Sequence, residues 1–153
     1  MHVTKEQLKA AFTVSGLKVR TRNADESQAA SAKIGPMWQR FYSEGLYEGI
    51  PAKQPGSPVY GVYSGYESDA SGLFDVTAGV ATDAPALGFE SLVIEPGNYL
   101  VFEARGPMPQ AIIAAWQQIW AYFEQPDVPA RAFVTDFEAY QGPDLAFIHI
   151  GIR

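Results

Sequence analysis

Tyr63-Ser64-Gly65-Tyr66-Glu67, a turn, and Leu73-Phe74-Asp75-Val76-Thr77-Ala78-Gly79-Val80 read as a β-hairpin. The chain writes a second one late in its length: Val134-Thr135-Asp136-Phe137-Glu138, a turn, and Leu145-Ala146-Phe147-Ile148-His149-Ile150-Gly151-Ile152. Each hairpin follows a helix-like stretch carrying a Trp-Gln pair. The first is Met37-Trp38-Gln39-Arg40-Phe41-Tyr42, the second Ala115-Trp116-Gln117-Gln118-Ile119-Trp120. A unit written twice predicts two halves packed around a pseudo-two-fold axis. The repeated aromatic-Glu dipeptide predicts that Glu67 and Glu138 converge on a shared groove rich in rings.

The remaining elements fall into place around these hairpins. Residues 11–22 alternate and hold β-branched types, which predicts a first strand. Asn23-Ala24-Asp25-Glu26 is a helix-start signal, and the helix runs on toward Trp38, Phe41 and Tyr42. Gly35-Pro36 inside it predicts a kink, or a second helix beginning at Pro36. Residues 45–58 carry three Gly and three Pro and predict a loop. Leu92–Ile94 reads as a short added strand and Tyr99–Ala104 as a longer one. Between Pro109 and Glu124, residues Ile112, Trp116, Ile119, Trp120 and Phe123 share one helical face. Repeated strand-helix-strand-strand units, spanning about 11–82 and 92–153, predict one α+β domain over 1–153. Its sheet is expected to be antiparallel, with both helices on one face.

Composition narrows the function. At 153 residues the chain is long enough to bury a core, and an apolar fraction of 47% with 18% charged residues is not that of a disordered segment. The formal net charge of −6 argues against phosphate-backbone binding, so no nucleic-acid partner is expected. There are no cysteines and only His2 and His149, which excludes a thiolate nucleophile and a cysteine-type zinc site and argues against a histidine cage; no metal or cofactor is expected. The N-terminus lacks a signal-peptide profile, and no apolar run approaches the ~18 residues of a membrane span. A cytoplasmic protein without a membrane partner is expected.

Candidate chemistry gathers on the last hairpin. A period of two puts Phe133, Thr135, Phe137 and Ala139 on one face and Val134, Asp136, Glu138 and Tyr140 on the other. By pattern alone the second set suits a solvated sheet surface. The alternative makes Glu138 the floor of a pocket with Tyr140 beside it. Glu67, with Tyr63 on its face, carries the same two readings. Gly61 and Gly65 leave room above their strand, as close approach of a ligand or a bulge would each require. Trp38, Tyr42 and Trp116 serve a core or line a cavity. A carboxylate among indoles and phenols suits an organic cation, to which each ring offers ~0.5–2 kcal/mol. Empty, such a carboxyl is expected to titrate high, and a bound cation to bring it down. His149 reads as structural, or as pocket wall, rather than as a base.

The order of these motifs resembles the GyrI-like small-molecule-binding family, the effector-binding domain of bacterial transcription activators. The residues that carry the likeness are Lys33-Ile34-Gly35-Pro36-Met37-Trp38-Gln39-Arg40-Phe41, Tyr60-Gly61-Val62-Tyr63-Ser64-Gly65-Tyr66-Glu67, Pro96-Gly97-Asn98-Tyr99-Leu100-Val101-Phe102 with Arg105-Gly106-Pro107, and Asp136-Phe137-Glu138-Ala139-Tyr140. The resemblance implies eight antiparallel strands, two helices and a cleft that takes lipophilic cations. It implies a penultimate-strand glutamate, here Glu138, against the positive charge, with Trp38, Tyr42, Tyr63, Trp116 and Tyr140 stacking on the ligand. Glu67 joins only through the internal repeat. Regulators of that family carry a DNA-binding domain ahead of the ligand domain. With about ten residues before its first expected strand, this chain resembles a stand-alone member of the kind found on mobile gene cassettes. Binding or sequestering a small cationic or aromatic molecule is the leading expectation. Hydrolysis of reactive electrophiles in the same cleft is an alternative, and a protein-interaction role toward a transcription or topoisomerase partner a second.

Overall fold

The computed structural model describes residues 3–153. In chain order the elements are β1 (Val3–Leu8), β2 (Phe12–Thr21), α1 (Asn23–Glu26), α2 (Ile34–Ser43), α3 (Leu46–Gly49), β3 (Val59–Ser64) and β4 (Phe74–Thr82). They continue with β5 (Glu90–Ile94), β6 (Gly97–Arg105), α4 (Gln110–Phe123), β7 (Arg131–Gly142) and β8 (Leu145–Ile152). The eight strands form a single sheet in the order β1-β6-β8-β7-β3-β4-β2-β5. Every pairing is antiparallel. The protein is therefore α+β, as its pattern predicts.

The strand order is a palindrome of two five-element units. β1-β2-α2-β3-β4 matches β5-β6-α4-β7-β8, and the units meet where β3 pairs with β7. β5 is thus the opening strand of the second unit rather than an addition between the halves. Its counterpart β1, not expected from the sequence, occupies residues read as a short leader. The edge strands are exchanged: β1 pairs with β6 of the second unit, and β5 with β2 of the first.

Two further corrections concern helices. The stretch 23–43 is broken: α1 is a single turn, and α2 begins at Ile34, two residues before Pro36. What starts α2 is the Glu26 carboxylate, which accepts the backbone N–H of Lys33 at 2.9 Å and of Ile34 at 3.1 Å. These are among the N-terminal amides that a helix cannot satisfy itself. Pro36 sits in the first turn, where no intrahelical donor is lost. The single turn α3 lies inside the expected loop.

Packing on the helical face divides in two. Met37 and Phe41 of α2 bury against Val76, Ala78 and Val80 of β4. Ala115 and Ile119 of α4 bury against Phe102, Ile148 and Ile150. Each large side chain so enclosed contributes ~1.5–3 kcal/mol. On the opposite face Val14, Val62, Ile94, Tyr99 and Phe137 form a third cluster. Strands β2 and β4 cross closely where Gly16 faces Gly79, since a β-carbon on Gly16 would stand 1.9 Å from the Ala78 carbonyl oxygen. Helix α2 rests on β2 and β4, and α4 on β6. The central strands β3 and β7 are left as the floor of a gap between the two helices.

Candidate functional site

A cavity of about 790 Å³ opens in that gap. Its size suits a drug-like organic molecule. Trp38 of α2 and Trp116 of α4 face each other across it, with Tyr63 of β3 and Tyr140 and Glu138 of β7 below. Both strands contribute because directly paired residues of an antiparallel ladder share a face. Gly61 is opposite Glu138, Tyr63 opposite Asp136, and Val59 opposite Tyr140. The rings form a connected wall: Tyr63–Trp116 centroids lie 4.9 Å apart and Trp38–Tyr140 5.6 Å apart.

Glu138 is buried. Its Oε2 accepts the Trp116 indole N–H at 2.7 Å and the Tyr63 hydroxyl at 2.9 Å, and its Oε1 accepts the Tyr140 hydroxyl at 2.8 Å. All three donors are neutral, and no cationic side chain is bonded to it among the described residues. Burial pushes the Glu138 carboxyl above the ordinary range, and the hydrogen bonds from Trp116, Tyr140 and Tyr63 pull partly the other way. Burial, followed by the neighbouring carboxylate, raises the Tyr63 and Tyr140 hydroxyls well above their ordinary value, so both remain donors. A buried anion with fixed dipoles and no counter-ion is costly, and a cation in the adjoining space relieves that cost.

Gly61 makes this arrangement possible. A β-carbon there would meet Glu138 Oε1 at 2.5 Å and Trp38 Cζ2 at 3.0 Å. The offset that carries Tyr63 onto Tyr140 also carries Gly61 onto Glu138. The structural counterpart of the acid is therefore a glycine. Glu67, matched to Glu138 by the local likeness of the two hairpins, is exposed in the turn after β3, where its Oε1 accepts the Leu73 N–H at 3.3 Å. The two carboxylates do not converge. Matching side-chain types along the chain misaligned the repeat, whereas matching hydrogen-bonded partners aligns it.

The structure also gathers residues that the pattern did not single out. Tyr66 and Arg131 line the far end of the cavity. Arg131 Nη2 donates to Asp136 Oδ2 at 2.7 Å, the Tyr66 hydroxyl donates to the same oxygen, and the Gly151 N–H donates to Asp136 Oδ1 at 2.9 Å. Residues 131 and 136, an odd number apart, would lie on opposite faces of a regular strand. The ladder is irregular between Arg131 and Asp136, and Phe133 has φ of 54°. That break turns Arg131 to the Asp136 side and leaves Val134 exposed. An alternation rule cannot foresee it.

At the mouth, Tyr42 is exposed and stacks on Trp38 at 6.0 Å, and Ile113 and Trp120 of α4 are exposed on the other side. Glu26 also reaches the rim, but its carboxylate is committed to Thr21, Lys33 and Ile34. His149 lies on the opposite face of the sheet, stacked on Phe137 at 4.2 Å, with its buried Nδ1 lacking a partner. It is neither a wall of this cavity nor fully satisfied, and burial lowers its titration from the ordinary value. Among the described residues no cluster of His, Cys, Asp and Glu is placed to hold a metal ion. No helix among them is long and apolar enough to cross a membrane.

Comparison with other proteins places the fold. Residues 7–150 match a protein family described as integron-associated effector binding protein. In three dimensions the chain is similar to an integron cassette protein from the mobile metagenome of Vibrio cholerae, with a TM-score of 0.84 and 36% identity over 99% of this chain and 95% of that one. It shares its fold with a protein whose structure is described as bound to tetraphenylphosphonium, with a TM-score of 0.82 and 24% identity over 100% of this chain and 94% of that one. No curated protein sequence matches the chain.

Proposed function

Because the chain belongs to the integron-associated effector-binding proteins, a family with a small-molecule-binding role, we propose that it binds amphipathic cationic or aromatic molecules in the cavity between α2 and α4. The observation that carries the reading is Glu138: a buried carboxylate, held by three neutral donors, beside an aromatic space of about 790 Å³. The cation of the ligand completes the charge balance of Glu138, and the faces of Trp38, Trp116, Tyr63 and Tyr140 supply dispersion and cation–π attraction of ~0.5–2 kcal/mol per ring. Tyr42 covers the part of the ligand nearest the mouth. The structure bound to tetraphenylphosphonium supports a lipophilic cation as the first probe.

Quenching of tryptophan fluorescence on titration with tetraphenylphosphonium or rhodamine 6G tests the proposal, since Trp38 and Trp116 stand in the wall. Saturable binding is expected, weakened by about tenfold or more in Glu138→Gln, the cost of losing a desolvated charge partner. Binding that is unchanged by that substitution would remove the carboxylate from the account.

A further inference from the structure

We propose that the cavity has two poles and accepts zwitterionic ligands, with the cationic group at Glu138 and an anionic or hydrogen-bond-accepting group at Arg131. The inference rests on the binding function proposed above and adds a second recognition element to the same site.

Three observations support it. Arg131 is only 9% exposed, and it lines the cavity at the Tyr66 end. Its Nε–H is buried and has no acceptor. A guanidinium offers five N–H donors, and the bond from Nη2 to Asp136 is far from exhausting them. A buried donor left unpaired is costly, so an acceptor brought into this end by a ligand gains more than it would at the surface.

Asp136 balances the charge of Arg131 but leaves most of its donors unused. Its Oδ2 already takes Arg131 and Tyr66, and its Oδ1 takes the Gly151 amide. The fully buried carboxylate lies behind the cavity wall rather than in it. It fixes the guanidinium in place, together with the Phe133 ring 4.3 Å beneath. The arginine is thereby preorganised, and little entropy is lost when a ligand engages it. The ligand meets a carboxylate at Glu138 and unused guanidinium donors at Arg131. Asp136, which holds the guanidinium, and Glu138 are two residues apart on one face of β7, about 7 Å along the strand. That spacing selects a ligand whose cation and acceptor sit on one rigid aromatic frame.

Two probes that differ by one ester separate the poles. Tetramethylrhodamine methyl ester carries only the cation, and the free acid is the zwitterion. Fluorescence anisotropy titrations of the full chain are expected to give the zwitterion an affinity within about threefold of the ester. Arg131→Lys keeps the charge but loses the planar fork. It is expected to weaken the zwitterion by about tenfold relative to the ester. If Arg131→Lys does not fold, the charge-balanced pair Arg131→Gln with Asp136→Asn replaces it, with the same result expected. Preference of the wild type for the ester by about tenfold or more would overturn the two-pole reading, as would equal shifts of both probes in the variant. In either case an ester that still binds and still depends on Glu138 leaves the function itself standing. Failure of both probes to bind would overturn both.

Discussion

Gly61 and Glu138 stand directly opposite each other in the central ladder, and the glycine's missing side chain is the space that one carboxylate oxygen fills. The pseudo-two-fold brings equivalent positions face to face here. Only one of the pair can therefore carry a side chain over the floor. Gly61→Ala is expected to displace Glu138 from its donors and to press on Trp38, costing ~1–3 kcal/mol of stability. Ligand affinity should fall with it. Denaturant midpoints and a tetraphenylphosphonium titration of the same variant check both effects.

Glu138 gives binding a pH dependence with a definite sign. Its folded-state titration is raised above the ordinary value of 4.5 by burial. As the pH falls through the raised value the carboxyl takes up a proton and no longer offers a charge, so the affinity for a permanent cation declines. Below that value the loss approaches about tenfold per pH unit until the neutral site's own affinity is reached. Glu138→Gln is expected to show a flat profile over the same range. Isothermal titration in matched buffers, from neutral to acidic pH, measures the two slopes.

The same raised titration concerns stability. The folded protein holds this proton more tightly than the unfolded chain does. Its stabilising contribution is complete below 4.5 and is lost as the pH rises through the raised value. At neutral pH Glu138→Gln should therefore unfold at a urea concentration no lower than the wild type. At acidic pH that advantage should shrink. A lower midpoint for the variant at neutral pH would mean that the hydrogen bonds outweigh burial.

Glu67 provides the contrast. It is exposed in a turn, where its carboxylate accepts the Leu73 amide at 3.3 Å. Glu67→Gln is expected to leave ligand affinity within about twofold and stability within ~0.5 kcal/mol. A binding loss comparable to that of Glu138→Gln would restore the paired-carboxylate site.

At the β2–β4 crossing, Gly16→Ala puts a methyl against backbone that cannot yield. The expected loss exceeds ~3 kcal/mol, with the helix-side cavity untouched in whatever fraction still folds. Circular dichroism melts test this.

The α+β class, the hairpins and helix α4 were legible because their apolar residues recur with the periods of one-sided strands and a one-faced helix. Strand β1 was not: Val3-Thr4-Lys5-Glu6-Gln7-Leu8 is an edge strand, mostly exposed, held by its ladder with β6 rather than by burial. Glu138, Trp38, Trp116, Tyr63 and Tyr140 could be picked from the chain as neighbours of one cavity. Their hydrogen bonds could not, since these join residues as far apart as Tyr63 and Glu138. Arg131 escaped because an irregular ladder, not an alternating one, turns it inward. A second helix was legible from Gly35-Pro36, but its start at Ile34 was not, because the cap comes from Glu26, one turn and a loop away.

The exchanged edge strands settle how the molecule can yield. Opening the sheet like a clamshell at the β3–β7 seam would leave β1 on β6 and β5 on β2, because each exchanged strand travels with its new partner. What ties the two sides is covalent: the short links from Leu8 to Phe12 and from Ile94 to Gly97 cross from one side to the other and limit how far they can part. A guest of the kind proposed is therefore expected to enter by parting side chains and shifting α2 or α4, while the strands beneath keep their spacing.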